Sequence, residues 1–425
     1  MIIEIRNATV LDPSVDQEPV AGGSVFIENG HFTDHLTQTP DRIIDASGRA
    51  VFPGLIDAHC HLRDPGFEYK EDIESGTKSA AKGGFTTVAC MPNTRPVCDH
   101  EAVVRYMLEK AARVGHARVL PIGSVSKEQK GLELAEMGLM KEAGIVAVSD
   151  DGRPIESSEM MRKGMQYAWQ FGLSVISHCE DLSLAAGRSM NEGLTSTALG
   201  LAGIPDSAES IMVARDCLLS EYLDIPVHIA HVSCRSSVRI IREAKARGVR
   251  ITAETCPHYF ALTEAHCLNF NTMAKMNPPL RTDDDVTAVI EGIADGTIDC
   301  IVTDHAPHHS DEKEVPFDAA PNGIIGFETA FALGYTRLVQ TGKMTLSHWL
   351  KTMTINPARL FKLPLGTLQK GCSADLVLVD LDQSWRVDRD EMLSKSRNTP
   401  FQDMILNGRV DLTICGGKIT YESFC

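Results

Sequence analysis

Eight short, apolar, β-branched runs recur along the chain, and each ends in polar residues: GLIDAHCH (54–61), TTVACMPN (86–93), ARVLPIGS (117–124), GIVAVSDD (144–151), LSVISHCE (173–180), PVHIAHVS (226–233), VRITAETC (249–256) and DCIVTDHA (299–306). Runs this short that stay apolar, rather than alternating with polar residues, read as strands covered on both faces of a parallel sheet. Helix-like stretches separate them. HEAVVRYMLEKAARVG (100–115) spaces its apolar residues helically and stops at Gly115; SSVRIIREAKARG (236–248) offers a serine N-cap and closes on Gly248. Eight such alternations predict an α/β chain folded as a (β/α)8 TIM-type barrel, with a doubly wound sheet as the alternative.

The ends break this rhythm. Residues 1–52 (MIIEIRNATVLD, GGSVFIENG, DRIIDASGRAV) and 366–425 (GTLQKGCSADLVLVDLD, FQDMILNGRVDLTICGGKITYE) read as short strands and turns. The expectation is one small β domain built from both ends, flanking a barrel over 53–365. The length of 425 residues accommodates a barrel of ~250 residues with a smaller domain.

Barrel enzymes place their chemistry at the carboxyl ends of the strands, so the polar residues there matter most. The first strand ends in His59-Cys60-His61, whose imidazoles lie two residues apart and so share a face. The fourth ends in Asp150-Asp151, the fifth carries His178, the sixth His231 and the eighth Asp304-His305. Any one of these alone reads as an ordinary hydrogen-bonded or turn residue. Six metal-competent groups at matching ends of five strands do not. Four imidazoles and two carboxylates exceed the three protein ligands of a mononuclear catalytic zinc and suit two divalent ions about 3.5–4 Å apart. A carboxylate bridges two cations naturally, and Asp151 is the choice for that bridge.

Charge and cysteine usage limit the other classes. With 41 basic and 57 acidic residues the formal charge is −16, which repels phosphate backbones and argues against nucleic acid as a partner. The first twenty residues lack the layout of a signal peptide, and no run of ~18 apolar residues suggests a membrane span. The 12 cysteines are scattered without a CxxC pair, as buried thiols in a reducing compartment would be; the expected location is the cytoplasm. Cys60, Cys179 and Cys256, near the rim, read as small packing residues.

GLIDAHCHLRDPG (54–66) resembles the metal-binding opening of the amidohydrolase superfamily, specifically the dihydroorotase family. The resemblance continues in order through CMPNTRPV (90–97), SDDGRPI (149–155), SHCED (177–181), AHVS (230–233), ETCPHY (254–259), KMNPPLR (275–281), TDHAPHHSDEK (303–313), GFET (326–329) and INPARLFKLP (355–364). It implies His59 and His61 as ligands of a first metal, His178 and His231 as ligands of a second, and Asp304 as the metal-bound catalytic aspartate. Many members of the superfamily bridge their metals with a carboxylated lysine. No lysine stands at the end of the fourth strand here, and Asp151 is similar to the bridge of the bacterial, type I branch.

The reaction implied is the reversible closure of N-carbamoyl-L-aspartate to dihydroorotate in pyrimidine synthesis, with one or two Zn2+ per subunit, two being favoured. Asp304 would move the proton between the water-derived nucleophile and the ring nitrogen. The substrate is a small anion, so an acidic protein needs a local cation. Arg63, just past the first strand, has the planar fork for a carboxylate, and Asn93 and Asn277 add directed amides. The three match the family's carboxylate clamp. On composition alone, Arg63 would instead pair with Asp64 or Glu68 at the surface. His308 and Gly323 match substrate-contacting positions and flank a long, polar loop, HHSDEKEVPFDAAPNG (308–323), of the kind that forms lids. The resemblance further implies a homodimer and leaves room for association with aspartate transcarbamoylase. The rival readings are another cyclic amidase (dihydropyrimidinase, hydantoinase or allantoinase), a non-catalytic scaffold for the transcarbamoylase, and a purely structural barrel.

Overall fold

The computed structural model describes residues 1–15 and 19–423. Residues 16–18 and 424–425, in the two terminal segments, lie outside the described residues. Eight short parallel strands form the centre: Leu55–Cys60, Phe85–Cys90, Arg118–Pro121, Val148–Ser149, Val175–Ser177, Val227–Ile229, Ile251–Thr255 and Cys300–Ile301. They pair in sequence order within two groups, strands one to three and four to eight. Single bridges join the groups and close the ring, Gly123 to Val148 and Cys60 to His305. Helices between the strands cover the outside, so the strands are buried on both faces and can be apolar without alternation. The fold is the (β/α)8 barrel rather than a doubly wound sheet.

The hydrogen-bonded strands are shorter than the apolar runs that announce them. DCIVTDHA forms a ladder only at Cys300–Ile301, and beyond it pairs through single bridges at His305, because its carboxyl end leaves the ladder to enter the rim. The helix expected over 100–115 runs Glu101–Val114 and stops at Gly115. The helix expected over 236–248 runs Arg235–Ala246, with Gly248 in the left-handed conformation after it. The serine cap expected there is a correction. Ser236 and Ser237 lie inside the helix, Cys234 occupies the cap position, and Asp285 of the next helix accepts the Arg235 N–H at 2.9 Å. A tertiary partner satisfies the free amide that a local serine would have taken.

Both chain ends enter one eight-stranded sheet. The N-terminal strands Ile3–Val10 and Ala50–Pro53 join the C-terminal Leu376–Arg386, Ile405–Cys415 and Lys418–Glu422 through antiparallel pairing of Val51 with Leu378. Ile3, Ile5, Ile27, Val51, Leu376, Leu378, Leu412 and Ile414 make a core separate from that of the barrel. Two insertions build up the rim. Residues 182–206 form short helices and a two-stranded sheet after strand five, and 257–281 form short helical turns after strand seven. Arg281 ties them together, donating to Asn191 Oδ1 at 2.8 Å and Ile204 O at 3.0 Å. Among the described residues no helix is long and apolar enough to cross a membrane.

Candidate active site

The carboxyl rim gathers His59, His61, Asp151, His178, His231 and Asp304 from strands one, four, five, six and eight. The ligand atoms of five of them form two groups of three, each within 4.8 Å, His59, His61 and Asp151, and Asp151, His178 and His231; Asp304 falls in a third group with Cys256 and His258. Asp151 belongs to both of the first two. Its Oδ1 is 3.4 Å from His59 Nε2, 3.5 Å from His178 Nδ1 and 3.5 Å from His231 Nε2; its Oδ2 is 3.5 Å from His61 Nε2. Asp304 Oδ1 lies 3.0 Å from His61 Nε2 and 3.7 Å from His59 Nε2. Asp150 faces elsewhere. Its carboxylate accepts the Val125 and Ser126 amides and the Ser126 hydroxyl, and so anchors the loop after strand three.

Backbone strain marks the same place. Arg63, His231 and Asp304 have φ of 61°, 33° and 45°, a region costly for residues with a Cβ. The chain turns sharply at these strand ends, and the turn brings the side chains over the barrel mouth.

A ring of acceptors behind the imidazoles orients them. Glu254 Oε1 is 2.6 Å from His59 Nδ1, and its Oε2 is 2.9 Å from His228 Nε2, whose Nδ1 lies 2.7 Å from Thr252 Oγ1. Asn93 Oδ1 is 2.8 Å from His61 Nδ1, and Glu180 Oε2 is 3.3 Å from His178 Nε2. The contacts to His59, His61 and His178 turn the opposite ring nitrogen of each toward the centre, while His228 spends both its nitrogens holding Glu254 and Thr252. Burial opposes charge here, but proximity overrides it. His59, His178 and His231 hold Asp151 well below the carboxylate range, and Asp151 in turn raises His59 well above its usual value and His178 to about 10. Burial likewise opposes ionisation of Asp304, and His61, His59 and His231 hold it low.

Three buried atoms at the centre have no hydrogen-bond partner: His59 Nε2, Asp151 Oδ1 and His231 Nδ1. His59 Nε2 and Asp151 Oδ1 face each other at 3.4 Å, with His178 Nδ1 and His231 Nε2 each 3.5 Å from the same oxygen, and nitrogen and oxygen atoms converging in this way are what a divalent cation would satisfy, so the residue set fits a metal centre.

A cavity of about 210 Å³ opens from this centre, and its lining also includes Arg63, Asn93, Asn277, His308 and Gly323. Arg63 is half-buried. Its Nε donates to Pro307 O at 3.2 Å, leaving the terminal amino groups toward the cavity. It does not pair with its chain neighbours: Asp64 binds Lys110 at 2.6 Å, and Glu68 accepts the Gly66 amide. Burial lowers the Arg63 guanidinium from its ordinary value, and Asp304 pulls the other way. Asn93 spends its oxygen on His61, which leaves its amide group for a ligand. His308 is buried and neutral, its pKa driven well down by burial and by Arg63, Lys70 and Lys313. Its Nε2 meets Asn322 O at 2.8 Å, and Lys70 Nζ reaches its Nδ1 at 3.3 Å. Gly323 has φ 121°, and an added Cβ would meet the Ala306 Cβ at 2.6 Å. Its N–H is bound to Lys275 O and its oxygen to Asn398, so Gly323 shapes the wall rather than offering free polar atoms.

Several residues escaped the sequence reading. Glu254 and Glu180 stand at ends of strands seven and five, in ETCPHY and SHCED, and are acidic like Asp150; nothing local says which imidazole each faces. His258 is buried against Asp304 and Cys256, its Nε2 is unpartnered, and burial lowers it to about 4. Cys60, Cys179 and Cys256 are buried thiols, pushed far above the usual value by burial.

The amidohydrolase family pattern matches residues 50–420. A dihydroorotase of Acetivibrio thermocellus is 54% identical over 418 residues, 98% of either chain. A dihydroorotase of Geobacter metallireducens is 52% identical over 99% of this chain and 100% of its own. The L-hydantoinase (dihydropyrimidinase) of Arthrobacter aurescens has a similar structure, with a TM-score of 0.88 and 25% identity over 99% of this chain and 96% of that one.

Proposed function

The chain belongs to the amidohydrolase family, and on that premise we propose that it is a dihydroorotase, interconverting N-carbamoyl-L-aspartate and dihydroorotate. The observation that carries the reading is the cavity itself, whose lining offers two sets of groups, a guanidinium with two side-chain amides and a metal-competent centre. A ring amide and a carboxylate on one small substrate meet those two sets.

His59 and His61 would hold one Zn2+, His178 and His231 a second, with Asp151 shared and Asp304 beside the first. A zinc ion held there would supply Lewis acidity, lowering the pKa of water toward neutrality and offsetting charge on the amide oxygen. The protein does the rest. Glu254, Asn93 and Glu180 keep the imidazoles aimed. Arg63 binds the substrate carboxylate through its terminal amino groups, and Asn93 and Asn277 fix its plane. Asp304 carries the proton. In hydrolysis its carboxylate takes one from the nucleophile and delivers it to the ring nitrogen; in closure it removes the ureido N–H proton. His61, 3.0 Å away, keeps that carboxylate ionised until it is needed.

The test is a paired hydrolysis assay on zinc-loaded protein with dihydroorotate and the neutral ring dihydrouracil. Turnover of dihydroorotate alone is expected. Turnover of dihydrouracil at a similar rate would leave Arg63 without a role and move the protein toward the dihydropyrimidinases.

A further inference from the structure

Two buried lysines with no part in the chemistry above hold the loop that walls the cavity. Lys275 and Lys313 are 5% and 2% exposed, and their ammonium groups end on main-chain carbonyls. Lys275 Nζ donates to Phe317 O at 2.7 Å and Asp318 O at 3.0 Å. Lys313 Nζ donates to Pro321 O at 2.7 Å, Thr272 O at 3.1 Å and Lys275 O at 3.4 Å. Thr272 Oγ1 donates back to Lys313 O at 2.7 Å, and the Gly323 amide to Lys275 O at 3.0 Å. The two side chains therefore cross. The lysine of the 272–277 segment reaches into the 313–323 loop, and the lysine of the loop reaches into the segment. One segment ends at Asn277 and the other at Asn322 and Gly323, and all three line the cavity.

Burying an ammonium is costly, and burying two near each other more so. Burial, with the charge of Lys275 added, draws Lys313 down to about 7. A fold retains such a pair where one point must satisfy several inward carbonyls at once. The loop has one turn of helix of its own, Ser310–Lys313. Without the lysine side chains, the carbonyls of residues 272, 275, 317, 318 and 321 lose these donors, and the loop is left tied to the 272–277 segment by the Thr272 hydroxyl and the Gly323 amide.

We propose that Lys275 and Lys313 are positioning residues for substrate: their crossed clasp sets the spacing between Asn277 and the His308–Gly323 wall, and so the fit of the carboxylate-bearing side of the ring. This rests on the assignment of that end of the cavity to the substrate carboxylate.

The test uses full-length, metal-loaded protein carrying Lys275→Met, Lys313→Met or both, with Lys313→Arg as the conservative variant. Three quantities are read: KM and kcat for dihydroorotate, metal content, and hydrogen exchange of peptides spanning 308–323. The methionine variants should raise KM about ten-fold or more while kcat stays within about three-fold and metal content is unchanged. Exchange in 308–323 should quicken, the double variant should scarcely exceed the singles, and Lys313→Arg should recover part of the loss. Unchanged KM and exchange, or a fall in kcat and metal content at constant KM, overturns the proposal. If the methionine variants do not fold, Thr272→Val removes only the return bond and should shift KM and exchange in the same direction; unchanged exchange there overturns it too. Exchange needs no turnover, so a wild type inactive on dihydroorotate would sink the functional assignment while the clasp is still decided.

Discussion

Arg63→Met keeps the length of the side chain and its apolar stem and deletes the charge. Both residues carry a Cβ, so the strain at φ 61° is the same in either. Nε is already committed to Pro307 O at 3.2 Å, so the variant costs the substrate the terminal amino groups. Two charge-assisted hydrogen bonds at about 1.5–3 kcal/mol each set an upper range of about 3–6 kcal/mol. The cavity is open to water and Asn93 and Asn277 remain, so about 3 kcal/mol is the expected loss, a factor of about 150. The carboxylate does not change charge as the ring opens. Its contacts are equal in ground and transition states, and the loss should appear in KM with kcat nearly constant. Steady-state hydrolysis of dihydroorotate measures both, with metal content determined on the same samples. Any slow turnover of dihydrouracil should be unaffected. A fall in kcat at constant KM, loss of metal, or an equal loss on both rings would refute the reasoning and make Arg63 a structural residue.

Asp304→Asn should fold, because asparagine tolerates the positive φ of 45° at this position, and should retain metal held by the histidines and Asp151 while kcat falls by about 10²–10⁴; near-normal turnover would remove Asp304 from the proton path. Glu254→Gln withdraws a carboxylate from both His59 and His228, and metal affinity measured by competition with a chelator should drop about ten- to a hundred-fold; unchanged affinity would mean His59 is oriented by packing alone. His258 has a folded pKa of about 4 against about 6.5 unfolded, so the folded chain binds fewer protons between those values. Its contribution, about 3 kcal/mol, is present above pH 6.5 and is lost as pH falls through 4. In metal-stripped protein, denaturant midpoints at pH 7 and pH 4.5 should separate less in His258→Gln than in wild type, and identical separations would exclude His258 as the source.

The barrel and the rim cluster were legible because both follow from short-range rules. An apolar run of strand length followed by polar residues specifies a buried strand and its exit, and strand ends of one parallel barrel share a rim. Hence His59, His61, Asp151, His178, His231 and Asp304 could be placed together without coordinates, although His61 and Asp304 are 243 positions apart. Arg63, Asn93 and Asn277 follow from the same geometry joined to the family resemblance.

What stayed hidden depended on choices among chemically equal neighbours. The role of Asp150 was one: it is adjacent to Asp151 and identical in type, yet it anchors a loop while Asp151, the residue chosen from the sequence, faces four imidazoles, because successive residues at a strand end point to opposite sides. Glu254 meets His59 across 195 positions only once the ring has closed. The serine expected to cap the helix at 235 gave way to Asp285, from a helix that packs alongside only in the finished barrel. The crossed lysines have no periodicity and no motif of their own, since their partners are carbonyl oxygens that every residue possesses. Pattern along a chain reports which face is buried and where an element ends. Which donor meets which acceptor is set when distant segments are packed, and in this protein those pairings aim the metal ligands and wall the substrate cavity.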